Sequence, residues 1–125
     1  MSEPKEPIKQ IEPAKWEDFL QKFSQRNNGR RARFEVFRSG GVEEESREAH
    51  LEEVSLKRNG NKANVEVIRI DRADQNADKI KDIITNVRGI SVQYDVDGSE
   101  DVLEITDDEH ALISLRLESK VDGNS

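Results

Sequence analysis

The chain has 125 residues, enough for one domain at the common size of ~100 to 150. Its 27 acids against 20 lysines and arginines leave a formal charge of -7, and the absence of cysteine removes thiolate catalysis, thiolate zinc sites and disulfide scaffolds together. With 33% apolar and 38% charged residues the composition lies near the border of disorder, and the regular spacing of the apolar residues decides for a folded domain.

Residues 1–12 read as a flexible leader containing Pro4 and Pro7, with Ile8 and Ile11 available to dock on the domain. Pro13 suits the first turn of a helix, where its missing N–H has no partner to lose. Trp16, Phe19, Leu20 and Phe23 then fall at i, i+3, i+4 and i+7, one face of an amphipathic helix, which Asn27, Asn28 and Gly29 end. From Arg30 the period changes to two. Ala32, Phe34 and Val36 alternate with Arg33, Glu35 and Phe37, and Ser39, Gly40 and Gly41 break the strand. Leu51, Val54 and Leu56 change spacing from three to two, which predicts a bulge near Glu52 and Glu53. Asn59 and Gly60 predict a type I′ hairpin turn into a strand from Ala63 to Ile70.

Asp71 to Asp78 reads as a loop, and residues 79–86 fit either a short helix or a strand. Ile90, Val92, Tyr94 and Val96 alternate, Asp97 and Gly98 turn the chain toward Val102, Leu103 and Ile105, and Asp107 to His110 turn it again before Ile113, Leu115 and Leu117. Residues 120–125 form a disordered tail, leaving one domain over 13–119. Short connections make neighbouring strands antiparallel. The expected class is α+β: the N-terminal helix packed on a curved, mostly antiparallel sheet of about six strands, with an open small barrel as one form of it.

The chemistry is sparse. His50 and His110, each among acids, form an acid/base pair or metal site only if the fold joins them, and the spacing favours two exposed histidines. Asp95 to Asp101 has oxygen-bearing side chains at alternate positions like a calcium loop, but Glu100 stands where such a loop needs glycine and Thr106 where it needs an acid, so a solvated turn fits better. No serine sits in a nucleophile elbow, and no glycine-rich phosphate loop is present. Neither a catalytic residue, a metal nor a cofactor is expected.

Charge is unevenly placed. Lys22, Arg26, Arg30, Arg31, Arg33 and Arg38 face a single acid, Glu35, between residues 21 and 38, whereas residues 95–109 hold eight acids and no base. Arg26, Arg30, Arg31 and Arg33 form a candidate anion or RNA patch, although a helix C-terminus stabilises such cations without any ligand. The net acidity disfavours a polyanion. Of the six aromatic residues only Phe37 and Tyr94 remain for stacking, and Phe37, on the outer side of its strand, is a candidate interface residue.

The stretches Trp16 to Ser24, Asn28-Gly29, Phe34 to Phe37, Arg47 to Leu56, Val102 to Ile105 and Leu112 to Leu117 together resemble a family of small bacterial proteins known only as a domain of unknown function. That resemblance implies no activity and no site residue. No apolar run approaches the ~18 residues of a membrane span, and residues 1–15 lack the apolar stretch of a secretory signal, so the expected compartment is the cytoplasm. The expected function is that of a non-catalytic protein-interaction domain, dimeric with a second copy or bound to another protein. The alternatives are an Sm-like RNA-binding barrel using residues 22–38 and a ligand or hydrolytic pocket joining His50 and His110.

Overall fold

The computed structural model describes residues 8–38, 41–45, 49–71 and 78–118, and within them the chain forms one helix and nine strands. Strand β1 (Ile8–Ile11) and a 3-10 turn (Pro13–Lys15) precede helix α1 (Trp16–Asn27). Strands β2 (Arg31–Arg38), β3 (Gly41–Glu45), β4 (Ala49–Asn59), β5 (Lys62–Asp71) and β6 (Asp78–Ile84) follow, then β7 (Val87–Tyr94), β8 (Glu100–Asp107) and β9 (Leu112–Leu117). The order across the sheet is β1-β7-β8-β9-β2-β4-β5-β6, with β3 paired to β2, and every pairing is antiparallel. No helix among the described residues is long and apolar enough to cross a membrane.

The expectation of about six strands is therefore overturned, while the α+β, antiparallel character holds. Three strands account for the difference, and each hides its alternation. β1, in the stretch read as a leader, buries only Ile11 and leaves Ile8 48% exposed. β3 is held by main-chain pairing to β2 in a segment whose glycine and acids give no apolar signal. β6 carries Asp82 in register with core residue Val67, so a charge interrupts the apolar parity of Ile80 and Ile84. Among the described residues β1 and β6 end the order and each keeps a free edge, so the sheet is open. Its curl is strong enough to bring β5 against β7, although four strands lie between them in the order.

Two smaller expectations are adjusted. The β4–β5 hairpin pairs Asn59 with Lys62, so the turn residues are Gly60 and Asn61. Gly60 has φ +65° and Asn61 a negative φ, the signs of a type II′ turn in which glycine comes first. β7 stops at Tyr94, and Val96, instead of continuing the alternation, is 93% exposed in the turn. The bulge lies where the spacing put it, between Leu51 and Glu53.

One apolar cluster holds the domain together. Trp16, Leu20 and Phe23 of α1 join the inner-face residues of the sheet, among them Val54, Val65, Val92, Leu103 and Leu115. Leu20 and Phe23 are fully buried, and each contributes ~2 to 3 kcal/mol by burial. Arg69 shares this interior at 0% exposure. Its guanidinium lies over the Phe34 ring, donates to the Ala32 carbonyl at 3.2 Å and reaches the Asp82 carboxylate at 3.3 Å, so β5 is bonded to both β2 and β6 through one side chain.

Candidate functional site

The last turn of α1 is where the sheet's two halves are clasped. On one side it meets the edge of β4 beyond its short pairing with β2, which ends at His50. The Ser24 hydroxyl accepts the Val54 N–H at 2.7 Å and lies 2.8 Å from the Val54 carbonyl and 2.9 Å from that of Leu20, with one proton to give. Asn28 donates to the Glu52 carbonyl, the Gly29 N–H to that of Leu51, and the Leu51 N–H returns to the Arg30 carbonyl.

On the other side the same turn grips β8. Arg26 makes a bidentate pair with Glu100, at 3.0 and 2.6 Å, and Asn27 donates to the same carboxylate at 2.9 Å. Arg30 donates to the Asn27 side-chain oxygen, the Glu100 carbonyl and the Glu118 carbonyl. The hydrogen bond that Arg26 donates to Glu100 raises Arg26 above the ordinary arginine value against the opposing effect of burial, whereas burial lowers Arg30. Glu100 and Asn27 were not legible as a pair from the sequence, since 73 residues separate them.

The predicted basic patch is thereby divided. Arg26 and Arg30 turn toward Glu100 and the carboxyl-terminal end of β9, while Arg31 and Arg33 lie on β2 and pair with Glu118 at 3.6 Å and Glu35 at 3.8 Å. Phe37 is half-buried beside Leu112 of β9 and in register with Val42 of β3. The two histidines are not brought together. His50 pairs with Arg31 at the start of β2, and His110 precedes Leu112, which pairs with Phe37 near the end of that strand. Six residues of extended chain separate them, on the order of 20 Å. His50 is half-buried, its Nδ1 without a partner among the described residues, and His110 is exposed at φ +66°.

The acidic turn spends its oxygens on its own chain. Asp97 accepts from the Ser99 N–H and hydroxyl, and Asp95 accepts from the Val96 N–H. No group of three or more potential metal ligands occurs among the described residues.

What the sequence did not indicate is a groove along one flank of α1. A hollow of about 320 Å³ runs between Lys9, Gln10 and Ile11 of β1, Glu12 and Lys15 of the connecting turn, and the helix residues Asp18, Phe19, Lys22 and Arg26. An adjoining hollow of about 400 Å³ shares Lys9, Phe19 and Arg26 and extends to Tyr94 and the turn at Gly98 and Ser99. Ile11, Phe19 and Tyr94 give it an apolar floor, with Arg26 stacked over the Phe19 ring. Asp18 is paired with Lys22 and Glu100 with Arg26, while Lys9 and Lys15 have no acidic partner among the described residues. The opposite flank of α1 also has a hollow, about 430 Å³, but it is lined by Glu17, Gln21, Gln25, Glu53 and Lys57 and has no aromatic floor.

The groove borders the edge of β1 that no other described strand pairs. The Ile11 carbonyl is turned away from β7, for it accepts the Trp16 indole N–H at 3.0 Å. Antiparallel alternation then turns the Lys9 N–H and carbonyl to that same side, into the groove. No protein-family model, curated protein or solved structure matches the chain.

Proposed function

We propose that the chain is a non-catalytic protein-interaction domain that takes an extended, acidic segment of a partner protein in the groove between α1 and β1. The observation that carries this reading is the combination of an open strand edge with an apolar floor and a cationic rim in one channel. An added strand would bond to the Lys9 main chain, place alternate apolar side chains over Phe19 and Tyr94, and direct intervening carboxylates to Lys9 and Lys15. Because the whole chain is acidic, the cations of this channel select at short range and do not steer from a distance.

Selection from a displayed library of random octapeptides tests it. The expected winners alternate apolar and acidic residues, lose binding when synthesised with N-methylated main chain along one edge, and weaken at least tenfold against Lys9→Glu/Lys15→Glu. Winners that tolerate N-methylation on both edges, or that bind this variant equally well, would overturn the proposal. Self-association through the same edge predicts instead a dimer by light scattering that those two substitutions dissociate.

A further inference from the structure

The sheet face turned away from α1 carries a second feature. Ala32, Phe34 and Val36 of β2 and Ile113, Leu115 and Leu117 of β9 belong to the core, so the alternating residues Arg31, Arg33 and Arg116 face outward. The register sets Arg33 directly opposite Arg116. Like charges opposed across a strand pair repel, and both side chains reach solvent. Arg33 has Glu35 and Arg31 has Glu118, whereas Arg116 is exposed and makes no hydrogen bond or ion pair among the described residues.

Two guanidinium forks rooted on opposed residues, with Cβ atoms ~5 Å apart, can converge on one tetrahedral oxyanion and present parallel N–H donors to it. The surroundings say what carries that anion. Next to the arginine pair runs a row in which Glu35 and Glu104 flank Ser114, and Glu118 lies on the other side. A polynucleotide would set further phosphates against those acids, and the face offers no exposed aromatic ring for a base. A single dianion with basic neighbours matches both the centre and its rim.

We propose that Arg33 and Arg116, assisted by Arg31, form a recognition site for a phosphoserine or phosphothreonine flanked by lysine or arginine in a partner protein. The site is separate from the α1 groove and does not depend on it.

Calorimetric titration of the full chain with a lysine-flanked phosphoserine peptide tests the proposal, alongside its unphosphorylated form, inorganic phosphate and a single-stranded oligonucleotide. The expected result is at least tenfold tighter binding of the phosphorylated peptide than of its unphosphorylated form or of inorganic phosphate. Arg116→Ala should lose that advantage with an unchanged thermal midpoint, and Arg58→Ala, at the distant β4–β5 hairpin, should keep it. Equal binding of the two peptides, phosphate binding as tightly as the phosphopeptide, retention of the advantage in Arg116→Ala, or preference for the oligonucleotide would each overturn it.

Discussion

The two sides of the α1 C-terminus solve the same problem with different chemistry. Toward β4, neutral groups of Ser24, Asn28 and Gly29 bond the main chain of β4 beyond the end of its pairing with β2. Toward β8, a half-exposed guanidinium and a carboxamide hold a carboxylate that is only 8% exposed. The first seam depends on short-range geometry and should not respond to salt. The second gains from charge, and part of that gain is screened because Arg26 keeps 46% of its side chain in solvent.

Truncating the core of the helix stripe should have the largest effect. Phe23 is fully buried at the centre of the helix stripe, and its carbonyl also accepts from Asn27, so Phe23→Ala is expected to cost ~3 to 5 kcal/mol in urea unfolding. A loss below ~1 kcal/mol would mean that α1 is not needed to close the core. Glu100→Ala breaks only the ionic seam and should cost ~2 to 3 kcal/mol at low salt, as it removes charge-assisted bonds from Arg26 and Asn27 together. The gap between wild type and this variant should narrow as salt rises. Ser24→Ala breaks the neutral seam, strands a buried Val54 N–H and should cost ~2 kcal/mol at any ionic strength. Equal salt slopes for the two variants would erase the distinction between the seams.

The helix and the bulge were legible because apolar spacing alone determines them, and the groove was not, because its walls come from elements that only the tertiary fold makes adjacent. Lys9 and Tyr94 lie in one hollow although 85 residues separate them. The Arg69 interior was legible in part. Ala63, Val65 and Val67 set an inward parity that continues to Arg69 and Asp71, so the charged pair belongs inside and Ile68 and Ile70 fall half-exposed on the outer side. Composition argues the reverse, and it fails because Asp82, the cation–π contact with Phe34 and the Ala32 carbonyl compensate the buried guanidinium. That pairing also turns a charge inward on the edge strand β6, a feature that discourages edge-to-edge association.

The smallest effect separates conformation from contact within the neutral seam. Gly29 has φ +88°, a region that penalises any Cβ, and a Cβ built there would meet nothing within 4 Å. Gly29→Ala therefore keeps the bond from its N–H to the Leu51 carbonyl and suffers only the backbone penalty, ~1 kcal/mol, most of which Gly29→Asn should recover since asparagine tolerates the left-handed region. If Gly29→Ala instead costs as much as Ser24→Ala, and asparagine recovers nothing, the substitution has displaced the turn from β4. The seam would then depend on the path of the chain through Gly29 more than on the hydroxyl of Ser24.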